Sequence, residues 1–170
     1  MDDTARPSAP VASPRRSLYV ETSIVSYLAA QPASDVVVRA RQLLTHRWWA
    51  ERRGDFALVI AQPVLTEAAA GDRDAAGRRM RLLHGLPALV VTTDARELAE
   101  SIQEAARLPR RASVDALHVA LAAVHGVEFI LTWNMRHIAN AARRSSIEAA
   151  CRLGGYAPPS IATPDALLEG

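Results

Sequence analysis

The sequence predicts an α/β domain, a parallel sheet covered by helices on both faces. Three observations predict it. Short apolar stretches with strand character alternate with longer stretches whose apolar residues recur at helical spacing. The strand-like stretches are apolar throughout instead of alternating, as expected of strands buried on both sides. Ala, Val and Leu dominate and aromatic residues are few, which suits helices packed on a sheet. A chain of 170 residues reads as one domain with a real core.

The elements follow in order. Residues 1–16 carry three prolines and no periodicity, and are expected to form a disordered tail ahead of a single domain over residues 17–170. Ser17–Val20 is the first strand, and a helix runs from about Ser23 to Ala30, closed by Gln31-Pro32. Asp35 to Glu51 is a second helix, with Val36, Val37, Ala40, Leu43 and Leu44 at helical spacing. Phe56–Ile60 is a buried strand, and Pro63 opens the helix after it, where a missing N–H costs nothing. A helix over about Ala75–His84 leads to a strand at Leu89–Val91. Helices over Asp94–Arg107 and Ser113–His125 are separated by Leu108-Pro109. Phe129–Leu131 is a fourth strand, Arg136–Cys151 a helix, and Ser160–Ala162 a last short strand before a helical turn at Thr163-Pro164. No internal repeat is visible.

Composition excludes several classes. Net charge is +2, too small for a polybasic nucleic-acid binder, although every basic residue is Arg, the side chain best suited to bidentate phosphate contact. The pairs Arg52-Arg53, Arg78-Arg79, Arg110-Arg111 and Arg143-Arg144 read first as solvated helix faces. The single cysteine, Cys151, forms no internal disulfide. The start of the chain has no signal-peptide pattern, and no apolar run approaches the roughly 18 residues of a membrane span. A cytoplasmic protein with no membrane association is expected. One Cys and scattered His residues make no zinc pattern, and neither G-x-S-x-G nor a phosphate-binding glycine loop is present.

Ligands in such sheets bind beyond the carboxyl ends of the strands. Glu21 follows the first strand, Glu67 lies on the helix after the second, Asp94 follows the third, and Thr132-Trp133-Asn134 follows the fourth. Asp115 adds an acid in the first turn of the preceding helix. Acids converging on one rim from separate elements make a site for a hard cation. Asp94 reads instead as an N-cap with Glu97 as its reciprocal partner. Glu21 has no such structural duty, because Thr22 or Ser23 can cap the first helix. In SVDALHVALAAV, Val114, Leu117, Leu121 and Val124 form the expected buried stripe, with Asp115 at its edge and His118 on the same side as Asp115. There His118 either steadies the acid, contacts phosphate, or is a partly buried histidine of no special role.

At these residues the sequence resembles the PIN-domain proteins, of the kind found as VapC-type toxins in bacterial toxin–antitoxin pairs. The matching pieces are YVETSIVSYL, PVLTEAAAGD, SVDALHVALAAVHGVEFILTWNMRHIAN and PPSIATPDALLE, in the right order over roughly residues 18–168. The resemblance implies a three-layer α/β/α sandwich with a central, mostly parallel sheet. It implies a metal-dependent endoribonuclease using Mg²⁺ or Mn²⁺, a cognate antitoxin protein that blocks the site, and a homodimer. By position, Glu21 matches the first acid, where most members have Asp, Glu67 the second and Asp115 the third. Asn134 falls where many members have a further Asp, after a Thr that Thr132 matches. The resemblance thus makes Glu21 and Asp115 the direct metal ligands, leaves Glu67 as a further ligand, the holder of a metal-bound water or a general base, and adds Asn134 to the catalytic set, orienting water or ligating through its carbonyl. It gives Thr22, Ser23, Thr132, Arg110, Arg111 and Arg136 to the acids or to the RNA substrate. Two other readings stand beside it: a PIN-like nucleic-acid or protein-binding module without catalysis, for which Asn134 is the argument, and a DNA-directed nuclease with the same site. The sequence leaves the oligomer open, though exposed apolar helix faces near Trp48-Trp49 would suit a dimer.

Overall fold

The computed structural model describes residues 14–169. Of the expected tail, residues 1–13 lie outside the described residues. Strand β1 (Arg16–Val20) begins one residue before Ser17. Arg16 pairs in register with Phe56, its Nε bridges to Glu128 at 3.0 Å, and its guanidinium lies over the Phe129 ring. Helix α1 (Thr22–Ala29) follows after a single residue. Next come α2 (Val36–Glu51), β2 (Phe56–Ala61), α3 (Gln62–Ala68), α4 (Arg73–Leu83) and β3 (Ala88–Leu89). Then come α5 (Thr93–Ala105), α6 (Ser113–Val124), β4 (Phe129–Leu131), α7 (Ala141–Leu153) and β5 (Ser160–Ala162).

The five strands are all parallel, in the order β3-β2-β1-β4-β5. The chain moves outward from β1 to β3, then crosses back to build β4 and β5 on the other side of β1. Right-handed crossovers put α1 to α4 on one face and α5 to α7 on the other. The helix contacts agree: α1 packs with α2, α3 and α4, and α5 packs with α6 and α7. The central strands are buried on both faces, with Leu18, Tyr19, Val20, Ile130 and Leu131 fully enclosed. Each such aliphatic side chain contributes about 1.5–3 kcal/mol on burial.

Helix ends set the strands in place. Helix α6 stops where Gly126 takes a φ of 65°; the Val127 N–H reaches the Ala122 carbonyl at 2.8 Å and the Gly126 N–H reaches Ala123 at 3.1 Å. This Schellman turn suits glycine, which adopts a left-handed backbone without steric cost, and it aims the chain into β4. Asp35 and Asp72 cap α2 and α4 through Val38 N and Ala75 N.

Several expectations are corrected. In α2 the apolar residues Val36, Val37 and Leu43 are exposed, while Gln42, Thr45 and Trp48 are buried. The helix turns its polar side inward because Gln42 pins the preceding loop, accepting from Ala33 N at 2.9 Å and donating to the Gln31 carbonyl at 2.8 Å. Trp48 is not surface: it is fully buried, with its ring 5.9 Å from that of Phe56. On α6 only Leu121 of the expected stripe is buried. Ala116, His118, Val119, Ala120, Ala122 and Ala123 are enclosed instead, because small side chains let the helix sit tightly against its neighbours on more than one side. Thr92, not Asp94, caps α5, accepting from Ala95 N at 3.1 Å, and Asp94 accepts from the Tyr156 hydroxyl at 3.2 Å. Strand β3 ends at Leu89. Helix α7 starts at Ala141 instead of Arg136, since Asn140 caps it through Ala142 N at 3.0 Å and residues 135–139 form turns.

Candidate functional site

The site lies between the carboxyl ends of β1 and β4, where the strand order reverses. Doubly wound sheets open a crevice at such a point. Glu21 extends the sheet by one residue, its N–H donating to the Leu131 carbonyl at 3.1 Å. It stands at the N-cap of α1 in an extended conformation, yet its side chain makes no capping bond. Its Oε2 instead accepts from the Thr132 hydroxyl at 2.6 Å and from the Ser23 hydroxyl. Glu21 is 5 % exposed and Thr132 is fully buried, so the carboxylate is held at the floor of the crevice. Trp133 fixes the loop that supplies Thr132. Its backbone N–H donates to Ser23 Oγ at 2.8 Å, and its indole N–H donates to Thr45 Oγ1 at 2.7 Å.

Glu67 comes from the last turn of α3, the short helix opened by Pro63. Its Oε2 accepts from the Thr22 hydroxyl and from His118 Nε2 at 3.1 Å. A carboxylate offers only acceptors, so His118 Nε2 carries the proton. His118 Nδ1 lies 2.7 Å from the Tyr19 hydroxyl, and both of those residues are fully buried. A chain Tyr19–His118–Glu67–Thr22 thus runs from beneath the sheet to the rim. Burial pushes the Tyr19 phenol well above its ordinary value, and the charges of Glu21 and Glu67 push the same way. For Glu67, burial raises the pKa, but the hydrogen bonds from His118 and Thr22 and the electrostatic influence of His118 together bring it below its ordinary value.

One ligand atom each from Glu21, Glu67 and His118 lies within 4.8 Å of the others. Both nitrogens of His118 already have partners, so the two carboxylates are the donors free to meet a cation. Hard oxygen donors in a half-open crevice fit Mg²⁺ or Mn²⁺, which bind through one or two carboxylates and keep several waters.

Asp115 belongs to a second polar group beside the first. Its Oδ1 accepts from Asn134 Nδ2 at 2.8 Å, and its Oδ2 lies 2.7 Å from His137 Nδ1. Asn134 also ties the groups together: its N–H donates to Thr132 Oγ1 at 2.9 Å, the hydroxyl that donates to Glu21. Asn134 Oδ1 accepts from His137 N at 3.1 Å, closing the turn that brings the imidazole back to Asp115. His118, expected beside Asp115, reaches Glu67 instead.

Arg110 and Arg111 sit on a 3-10 turn (Arg110–Ala112) just before α6, and Arg136 lies on the turn after Asn134. All three are exposed and form no ion pair among the described residues. Asp94 stands apart, bonded to Tyr156. Two participants escaped the sequence reading. Tyr19 is a hydroxyl inside an otherwise aliphatic strand, and His137 follows Asn134 by three residues, the reach of one tight turn.

No family model and no curated protein sequence matches the chain. Among solved structures, the crystal structure of Mycobacterium tuberculosis VapC20, a sarcin-ricin loop cleaving toxin, is similar, with a TM-score of 0.56 and 22% identity over 74% of this chain and 95% of that one. Likeness at this identity carries the fold. Five parallel strands between two helical layers, superposable on that toxin, give this chain the PIN-type α/β fold.

Proposed function

We propose that the chain is a divalent-metal-dependent endoribonuclease acting as the toxin of a toxin–antitoxin pair. The observation that carries this reading is the convergence of Glu21 and Glu67, from separate elements, on one half-open point at the switch of the sheet. The fold shared with VapC20 supports it. Glu21 and Glu67 would hold Mg²⁺ or Mn²⁺, with Asp115 as a further ligand or as the holder of a bound water. When bound, such an ion lowers the pKa of a water and offsets charge on a phosphate. The remaining work falls to the protein. Thr132 and Ser23 keep the Glu21 carboxylate aimed, and Thr22 and His118 do the same for Glu67. Asn134 orients Asp115. Arg110, Arg111 and Arg136 contact the RNA backbone, which gives affinity without sequence choice.

The exposed Val36, Val37 and Leu43 on α2 support a protein partner, either the antitoxin or a second copy in a homodimer. No helix among the described residues is long and apolar enough to cross a membrane. The toxin reading, with RNA as substrate, places the protein in the cytoplasm.

The test is Mn²⁺- and Mg²⁺-dependent cleavage of a mixed RNA pool by the parent, beside Glu21→Gln and Asp115→Ala, with a DNA pool in parallel. Cleavage of RNA that disappears in both variants and with chelator is the expected result. Cutting of DNA alone would move the substrate class. A folded, antitoxin-free parent that cuts nothing would favour the second reading, a binding module. That reading has its own support: Asn134 stands where a fourth acid would be, and both oxygens of Asp115 are engaged.

A further inference from the structure

A second concavity adjoins the site. A crevice of about 270 Å³ opens between α3, α5 and α6 at the carboxyl edge of β2 and β3. Glu67 lines it, and Glu67 also belongs to the acid pair, so the crevice and the acid pair share this side chain. Its lining has two characters. Pro63, Val91, Val114 and Leu117 give an apolar wall. Gln62, Thr66 and Arg96 give a polar margin. Thr66 Oγ1 donates to the Gln62 carbonyl at 3.0 Å, and Gln62 Nε2 reaches Thr66 Oγ1 only at 3.4 Å. The Gln62 amide therefore keeps an acceptor and most of its donor capacity for a ligand. Arg96 is exposed and makes no ion pair among the described residues.

We propose that this crevice is a nucleobase pocket that reads the nucleotide next to the cleaved phosphodiester. It rests on the ribonuclease reading above and names how that site chooses its substrate. The occupant follows from the chemistry of the walls. A nucleobase has two apolar faces and a polar edge, and recognition of an unstacked base uses apolar contacts for the faces and hydrogen bonds for the edge. The crevice offers both, with Gln62 placed to bond an edge. Arg96 supplies the positive charge that a neighbouring phosphate demands. A crevice of this volume, below the usual range for drug-sized ligands, is of a size for one ring system. A nucleotide whose phosphate meets a cation held by Glu21 and Glu67 would put its own base, or the next, beside the crevice that Glu67 also lines.

The experiment maps cleavage sites on a randomised RNA pool for the parent, Gln62→Leu and Val114→Trp. Val114 is 37% exposed, so a larger side chain there closes the mouth without entering the core. Thermal unfolding and Mn²⁺ binding of each variant establish that fold and acids are intact. Gln62→Leu is expected to change the preference at one nucleotide flanking the cut by roughly 10-fold or more, as when a site loses one base-edge hydrogen bond. Val114→Trp is expected to slow cleavage of every preferred site by a similar factor. A second arm measures anisotropy of labelled homopolymer hexanucleotides without cleavage. If the parent cuts nothing but binds one base best, and Gln62→Leu loses that choice, the pocket stands although the nuclease reading falls. Parental cleavage profiles and parental base preference in both variants would overturn the pocket and leave the nuclease intact. An effect of Val114→Trp confined to association with a protein would also overturn it, and would assign the crevice to that partner.

Discussion

Thr132 is the hinge between the two polar groups of the site, since its one hydroxyl donates to Glu21 and accepts from Asn134 N. Thr132→Val keeps the shape and deletes both bonds. Outer partners of metal-binding carboxylates commonly govern affinity by about 10–100-fold. Thr132→Val is therefore expected to weaken Mn²⁺ binding by about that factor, read by calorimetric titration. It is also expected to lower stability by about 1–3 kcal/mol, through the Asn134 N–H left without its acceptor. Unaltered Mn²⁺ affinity in a folded Thr132→Val would remove Thr132 from the site. Cys151 makes a contrasting case. Burial pushes its thiol up to about 11, so it behaves as an inert apolar group. In the unfolded chain the thiol ionises near its ordinary value of 9.0. Its contribution to stability is thus whole below that pH and falls away as pH rises toward the folded value. A thiol reagent at pH 8 should label the denatured protein and spare the native one. Fast native labelling would contradict the burial.

At the scale of elements, α7 gives the clearest test of local chemistry. Asn140 caps its first turn and also donates to the Arg136 carbonyl at 3.0 Å. Asn140→Ala is expected to cost about 1 kcal/mol, as removal of such a cap does, seen as a lower urea midpoint at unchanged slope. The same helix shows what the sequence could and could not convey. Its start was misplaced by five residues because Arg136–Asn140 has ordinary helix-compatible side chains; the turn there is imposed by the Asn134 side chain on His137 N. Strands β4 and β5 were legible to the residue, being short apolar runs closed by polar or proline-bearing turns. Helix α6 misled because its alanines are buried on more than one side, leaving no single stripe for a periodicity to reveal. The positions of Glu21 and Asp115 were legible because a strand end and a helix start are marked in sequence, and that of Glu67 because Pro63 marks the short helix that carries it. Their partners were not. His118 meets Glu67 across 51 residues and Tyr19 across 99, contacts made only when the sheet order is known.

The whole molecule brings the tail and the site under one measurement, thermal stability. Arg16 is part of the sheet, so the removable segment ends before Pro14; deletion of residues 1–13 should leave unfolding cooperative, with a midpoint within about 2 °C of the parent, the shift of less than about 1 kcal/mol in a chain this size. Loss of cooperativity would refute the single-domain boundary. The acid pair gives the stronger test. A cation that binds only the folded state stabilises it by mass action, by about 2.7 kcal/mol at a hundred times its dissociation constant. In a chain of this length that raises the midpoint by about 5–10 °C. Mn²⁺ should do so for the parent, reversibly with chelator, and should not for Glu67→Gln. Glu67 adds a second signature that needs no metal. Its pKa lies below the ordinary value of 4.5, so its contribution is present above that pH and is lost as pH falls through the folded value. In chelator, the acid limb of stability should therefore be steeper in the parent than in Glu67→Gln. A parent midpoint indifferent to millimolar Mn²⁺, with the acid limb still Glu67-dependent, would leave Glu67 as the rim end of a hydrogen-bond chain from Tyr19 and end its case as a metal ligand.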